Sequence, residues 1–491
     1  MRVAAWAREG LALLLLVPVV LLVHGYHPWS DDAAIYIAGL REMIHPWLYA
    51  NDAAFVLSHT KVSVFSHVLA IVAEGFHLRV EWLVLASYLI SAWLFLYASR
   101  RLATRLFQDE LAGWFATLIA AACFTMPVAG TAIFVMDPYL TARSFSTPFS
   151  ILAVVGVLDR KWKSAGFWIV MTGLMHPQMG AYLAGFVTIL ALVDRGRIRT
   201  AIGVSVGAIL GCAVIWLATL HAPVTAAARV AVLSRTYFFP SLWHWYEWVG
   251  LAAPLLLMAV AWAKCEKGSA ARNICATSVL VGTAACIAAF SLVHPQGPYF
   301  LARVQLLRSF QLIYVLGVVL LGGFLGKTVV QRYRWTGVAL FAAAAMGMFV
   351  ASLQMYPGST HLELPGTTPE NPWGQALNWI RVNTPRNAMF AISPTLLYNP
   401  AEDLPGFRAM AERSVLVDNK DEGVASIFPD VAGEWMRRAN AEAGLDQMSE
   451  AERVARLKPF GVSWLLLPPA VAKSLSCPYS NSEVSVCRLT Q

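Results

Sequence analysis

The sequence predicts a polytopic α-helical membrane protein with a C-terminal α/β domain outside the bilayer. Three observations predict it. Of 491 residues, 58% are hydrophobic and only 13% are charged, whereas a soluble domain is about one quarter charged. So few charges cannot coat the several soluble domains that this length would otherwise hold. Apolar runs long enough to cross a bilayer recur about eleven times before residue 356. Beyond that point the chain turns polar, and acidic residues outnumber basic ones. The 37 Lys+Arg against 29 Asp+Glu give a net charge of +8. That charge lies in short clusters between apolar runs rather than on one face or tail, which excludes a nucleic-acid partner.

The first span covers residues 11–23 and follows Arg2 and Arg8 as a signal peptide would. No small-x-small cleavage site follows it, since the next residues are His24-Gly25-Tyr26-His27-Pro28-Trp29, so it reads as a retained span. Later spans centre near residues 90, 119, 152, 170, 186, 210, 256, 283, 317 and 345. Alternate loops carry compact basic clusters: Arg100/Arg101/Arg105, Arg160/Lys161/Lys163, Arg195/Arg197/Arg199, Lys264/Lys267/Arg272 and Lys327/Arg332/Arg334. The opposite loops are longer and more sparsely basic, and they hold Asp31, Asp32, Glu42, Asp52, Glu74, Glu81, Asp137 and Glu247. Positive-inside then places the N-terminus in the cytoplasm of a bacterial inner membrane, and an odd span count places the C-terminal region in the periplasm.

A proline cluster at Pro357, Pro365, Pro369 and Pro372 marks the junction, dividing the chain into a transmembrane domain (1–355, with a first outer loop at 24–81) and a periplasmic α/β domain (356–491). In the latter, residues 373–383 have helical apolar spacing and stop at Thr384-Pro385. Residues 388–392, 414–417 and 462–467 read as strands, and 451–457 as a helix. This domain has no glycine-rich phosphate loop and no nucleophile elbow. Cys123, Cys212, Cys265, Cys275 and Cys286 lie in or beside spans and act as small hydrophobes. Cys477 and Cys487 lie in the tail, where an oxidising periplasm suits a disulfide, with two free thiols as the alternative.

The first outer loop carries the most chemistry. Ser30 is a helix N-cap, and Asp31 and Asp32 occupy the first turn, where carboxylates favour the helix dipole. Ile35, Ile37, Leu40 and Ile44 give this helix an apolar face suited to lying on the membrane surface. The two carboxylates are either a solvated helix start, or a general base or divalent-cation ligand at the membrane edge. In the second outer loop Asp137 and Arg143 either pair with each other, or face a cavity in which Arg143 offers a fork of donors to a phosphate. His-Pro recurs at His27, His45, His176 and His294, always in outer loops. Each either ends a span or, for His176 and His294 in their His-Pro-Gln repeats, joins Arg143 around a phosphate. The run from Tyr237 to Trp248 is an interfacial aromatic belt or a stacking surface for a sugar or prenyl chain. Arg229, Arg235, Arg303 and Arg308 either snorkel to headgroups or bind a lipid phosphate.

Three of these features resemble the GT-C superfamily of membrane glycosyltransferases, which includes oligosaccharyltransferase catalytic subunits, protein O-mannosyltransferases and bacterial enzymes that add aminoarabinose to lipid A. They are the acidic pair opening an outer-loop helix, Ser30-Asp31-Asp32-Ala33-Ala34-Ile35-Tyr36 through Arg41-Glu42-Met43, the many spans behind an inside N-terminus, and an outer α/β domain opening with Trp379-Ile380-Arg381-Val382-Asn383-Thr384-Pro385. The resemblance implies a sugar donor carried on a polyprenyl phosphate or diphosphate, and a glycan, lipid or protein acceptor of the cell envelope. It implies that Asp31 or Asp32 deprotonates that acceptor or helps hold a metal. Arg143, His176 and His294 are chemically suited to the donor phosphate, and Asp52 is a candidate acceptor contact. Metal-dependent members carry a paired acidic motif in the second outer loop, where this chain has Asp137 alone. The reading is an inverting membrane glycosyltransferase. The alternative is a non-catalytic transporter or scaffold for envelope polysaccharide, which needs the basic outer loops but no base.

Overall fold

The computed structural model describes residues 2–397 and 404–489, the side chains of residues 2–7 excepted, so that the Arg2 side chain lies outside the described residues. A helix occupies every place where the hydropathy puts a span. Seven helical stretches among the described residues are long and apolar enough to cross a membrane: Val80–Phe107, Pro177–Asp194, Ile198–Thr219, Trp245–Lys264, Ala270–Leu292, Phe300–Val330 and Arg334–Met355. Glu110–Ala122, Ala142–Leu158 and Trp162–Met175 hold 13, 17 and 14 residues, short of the ~20 that a hydrocarbon core requires. Ala142–Leu158 is buried along almost its whole length, an interior helix of the bundle.

Three of the long helices, Ile198–Thr219, Trp245–Lys264 and Arg334–Met355, bury only 11% of their most apolar windows. They leave Leu210, Val214, Leu256 and Val338 exposed. Faces of this kind are costly in water and natural in lipid. The basic clusters meet at one end of the bundle, where Arg105 pairs with Asp159 at 2.9 Å and Arg160 with Asp194 at 3.4 Å.

At the other end sits the acidic helix, Asp31–Ile44. Its apolar face predicted a helix lying on the membrane surface, and the structure corrects this. Ala33, Ala34 and the run from Tyr36 to Glu42 are buried, clamped between the helix Phe65–Gly75 and the C-terminal domain. Arg41 and Glu42 explain how a charged helix tolerates this position. Arg41 pairs with Glu81 at 2.9 Å and Glu412 at 3.1 Å, and Glu42 accepts from the Tyr49 N–H at 2.8 Å. Gly406 meets Ala34 so closely that a Cβ there would collide with the alanine methyl.

The helix Arg334–Met355 ends at Tyr356, and the segment after it is stitched back to the first loop. The Tyr26 N–H donates to His361 O at 2.8 Å and the Glu363 N–H to Tyr26 O at 3.0 Å, while His27 contacts Ser359 and Glu363. The following domain is a five-stranded sheet, β1 (Met389–Ile392), β2 (Ser414–Val415), β3 (Trp464–Leu467), β4 (Tyr479–Ser480) and β5 (Ser485–Arg488), in the order β2-β1-β3-β5-β4. β1 runs parallel to β2 and β3, and β5 antiparallel to β3 and β4. All four residues of β1 and of β3 are buried, as expected of strands covered on both faces. The helix Pro372–Asn383 begins with Asn371 accepting from the Gly374 N–H and Pro372 at the first helical position, and stops before Pro385.

Cys477 and Cys487 form a disulfide closing a loop of sequence separation 10. Cys487→Ser is expected to cost about 2–3 kcal/mol, chiefly by freeing the unfolded chain. Thermal melting of the purified protein with and without reductant checks this, and equal melting would contradict it. Glu442, fully buried under β1, accepts from the Ile392 N–H at 3.1 Å. Burial, with the charge of Asp421 adding, pushes its carboxyl well above the usual range. A group whose folded pKa is raised binds more protons folded than unfolded, so its contribution to stability falls as pH rises past the ordinary glutamate value. Glu442→Gln should therefore melt several degrees higher than wild type at pH 8 and close to it at pH 4.5; the reverse order would contradict the assignment.

Candidate functional site

The site is built where the acidic helix starts. Ser30, extended at φ −91°, ψ 157°, sits at its N-cap without a side-chain capping bond. Asp31 follows in the left-handed region at φ +49°, a conformation that a non-glycine residue holds only when its surroundings compensate. Those surroundings are Tyr139, whose hydroxyl donates to Asp31 Oδ2 at 2.6 Å, and Lys420 of the C-terminal domain, which pairs with Oδ1. Asp32 lies one residue on and accepts from Arg143 Nη1 at 2.8 Å. Arg143 is placed by sequence-local means: Thr141 and Ser144 form a capping box that starts the helix Ala142–Leu158. Behind it Asp137 accepts from Arg143 Nε at 3.2 Å and from Thr141 Oγ1 at 2.8 Å. Of the two sequence alternatives the pairing is present, and Arg143 also lines a cavity, but Asp137 does not, because Arg143 and Thr141 hold it buried behind the arginine; this corrects its reading as a substrate contact.

Asp31, Asp32 and Arg143 line a cavity of about 780 Å³ between the helical bundle and the C-terminal domain. His59, His176, Arg235, Arg303, Arg308 and Lys420 face it as well, with Tyr36, Met175, Phe300, Val304 and Phe428 supplying an apolar wall. Its roof is the helix Asp421–Ile427. The Asp32 side chain is 32% exposed, towards this space. Enclosure favours its neutral form, but Arg143, Lys420 and Arg308 outweigh that and hold the carboxyl well below the usual range. Asp32 is therefore ionised throughout the physiological range. Burial, followed by Arg143 and Arg308, lowers His176 to about 3, so this imidazole is neutral. Its Nδ1 is buried without a hydrogen-bond partner among the described residues. Burial lowers His59 too, and its ring sits between Tyr36 and Phe428 at 5.7 and 5.1 Å.

Of the residues singled out from sequence, the structure brings Asp31, Asp32, Arg143, His176 and Arg303 into one cavity, with Asp137 directly behind. Two others it places elsewhere. His294 Nε2 faces Ser291 O at 3.3 Å and does not line the cavity, so its match to the His176 tripeptide reflects a shared way of ending a helix rather than a shared ligand. Asp52 is fully buried between Arg408 at 2.9 Å and Arg438 at 2.7 Å, where it joins the first loop to the C-terminal domain and meets no substrate space. Sequence reasoning missed Lys420, Tyr139 and His59. A lysine in the polar tail, a tyrosine after a proline and a histidine in a long loop carry no signal until the fold gathers them.

A divalent cation does not fit the acidic pair. Both oxygens of Asp31 are engaged by Tyr139 and Lys420, and Asp32 faces a guanidinium. Among the described residues no three His, Cys, Asp or Glu side chains converge as metal ligands.

Fold and cavity together define a polytopic helical membrane protein whose charged cavity is roofed by a small α/β domain. Within that domain, residues 371–441 match a family model described as a domain of unknown function, DUF6798. The match runs from the start of the helix Pro372–Asn383 through the roof helix. No curated protein matches the chain.

Proposed function

We propose that the protein is an inverting membrane glycosyltransferase that moves a sugar from a polyprenyl-phosphate carrier to a cell-envelope acceptor on the periplasmic side of a bacterial inner membrane. The proposed topology has eleven membrane-embedded helices and a cytoplasmic N-terminus. One observation carries the reading: two carboxylates and five cationic side chains meet in a single cavity of about 780 Å³ where the helices end. A lipid-linked sugar phosphate needs those elements together, namely an anion site at the membrane edge, an apolar wall for the chain, and a carboxylate beside it.

In this reading Asp32, the more exposed of the pair, takes the acceptor hydroxyl proton. The acceptor oxygen attacks the anomeric carbon from the side opposite the phosphate. As that bond forms, the bond from the anomeric carbon to the phosphate oxygen breaks, and its electron pair leaves with the polyprenyl phosphate. Arg143 and Arg308 offset the charge gathering there, and neutral His176 supplies a hydrogen bond. Asp31 positions the helix start through Tyr139 and Lys420.

The test uses the full-length protein in nanodiscs, with undecaprenyl phosphate as the probe. Wild type is expected to bind it, and Arg143→Gln to weaken binding at least about tenfold while melting confirms a folded protein. Undecaprenyl-phosphate sugars are then screened for transfer, which Asp31→Ala/Asp32→Ala should abolish. Full transfer by the double variant, or no binding by wild type, would overturn the reading. The latter would favour the transporter or scaffold alternative.

A further inference from the structure

The mechanism above leaves two of the cavity's arginines unused. Arg235 Nη2 lies 3.3 Å from Glu422 Oε2, and its guanidinium rests on Gly423, where a Cβ would come within 3.3 Å of it. Arg303 Nε donates to Ser426 O at 3.0 Å. Glu422, Gly423 and Ser426 lie within about one turn of the roof helix, so both guanidiniums touch the same stretch of it. Each has a nitrogen with nothing to bind: Arg235 Nε and Arg303 Nη2 are buried and without a hydrogen-bond partner among the described residues. Buried guanidinium donors are costly to leave unmade. Charge is unbalanced in the same place, since Arg235 has Glu422 while no ion pair to Arg303 occurs among the described residues. Arg143, by contrast, already faces Asp32 and Asp137.

Two forked cations, of which only Arg235 has a carboxylate partner among the described residues, suit a phosphate, whose oxygens accept from several N–H groups at once. The neighbourhood indicates what carries it. Arg303 stands in the first turn of the stretch Phe300–Val330, the level at which headgroup phosphates lie, and Phe300 beside it is 48% exposed. We propose that Arg235 and Arg303 form a second anion subsite beneath the roof helix, separate from the Arg143–Asp32 pair, which holds the phosphate of a phosphorylated lipid while the donor phosphate occupies the first. That this lipid is the sugar acceptor rests on the glycosyl-transfer reading; that the subsite binds a lipid phosphate does not.

The experiment measures binding of dioctanoyl phosphatidic acid, inorganic phosphate and undecaprenyl phosphate to the full-length protein in phosphatidylcholine nanodiscs. Wild type should bind phosphatidic acid and undecaprenyl phosphate together, neither displacing the other. Arg235→Gln and Arg303→Gln should each weaken phosphatidic acid at least about tenfold and leave undecaprenyl phosphate within about twofold. Arg143→Gln should do the reverse. Arg303→Lys, which keeps the charge and loses the fork, should fall between wild type and Arg303→Gln, which guards against a variant that fails to fold. One-for-one displacement, unchanged binding in both glutamine variants, or no phosphatidic acid binding by wild type would overturn the subsite. Inorganic phosphate binding as tightly as phosphatidic acid would overturn the lipid assignment. Phosphatidic acid binding without undecaprenyl phosphate binding would leave the subsite standing and remove the donor reading.

Discussion

Replacing Asp32 by asparagine is expected to lower sugar transfer by about 10²–10⁴-fold, the usual contribution of a general base, while undecaprenyl phosphate binding changes by no more than about threefold. Asparagine keeps the shape and an oxygen to accept from Arg143 Nη1, now 2.8 Å from the carboxylate, so the guanidinium stays in place. What is lost is the capacity to take a proton. Asp31→Asn should do less, because Asp31 acts by holding the start of the helix between Tyr139 and Lys420. The two variants are compared by initial rates at saturating donor, alongside donor binding. An Asp32→Asn protein with wild-type turnover would remove Asp32 from the chemistry. A variant that lost donor binding and transfer together would assign Asp32 to placing Arg143 instead.

Arg408→Met should destabilise the protein by about 3–5 kcal/mol, the cost of leaving buried carboxylates without their cation. Arg408 reaches Asp52 at 2.9 Å and both oxygens of Asp421 at 2.6 and 2.8 Å, and Arg438 reaches the other oxygen of Asp52 at 2.7 Å. The Val415 N–H also donates to Asp52, at 3.0 Å. The cluster joins the first loop, β2 and the roof helix, so its loss should loosen the roof as well as lower the melting temperature. Adding Asp52→Asn and Asp421→Asn to Arg408→Met should recover part of the loss, because the stranded charges go with the cation. A single variant that melts like wild type, or a triple variant less stable than the single, would contradict this account. The same measurements separate Asp52 from the cavity: Asp52→Asn should reduce stability before it reduces binding.

Much of the helical half was legible because its signals are local. A run such as 198–219 is apolar whatever surrounds it, and a proline after His176 ends a helix by removing an N–H and crowding the preceding turn. The helix Pro372–Asn383 and the buried strand β3 were readable for the same reason, one from apolar spacing bounded by Pro385, the other from the run 462–467 closed by Pro468. The short roof helix, the helix Ala432–Glu442 and the strands β4 and β5 were not. They are too brief or too polar to show a period, and they exist because partners cover them: Cys487 of β5 is fixed by its disulfide and by pairing with Leu465.

The site divides in the same way. Asp31 and Asp32 stood out from sequence because two carboxylates after a serine, next to a span, form a local pattern that dipole and capping chemistry explain. Which cations meet them depended on contacts between segments far apart in the chain: Lys420 reaches Asp31 across a sequence separation of 389, and Arg143 reaches Asp32 across 111. Repetition misled where geometry was needed, for His176 and His294 share a tripeptide and only His176 enters the cavity. Residue type and near-neighbour spacing thus settled where helices run and where charge gathers along the chain. Tertiary packing alone decided which charges face one another, since Coulomb and hydrogen-bond energies depend on distances in space that a one-dimensional pattern does not contain.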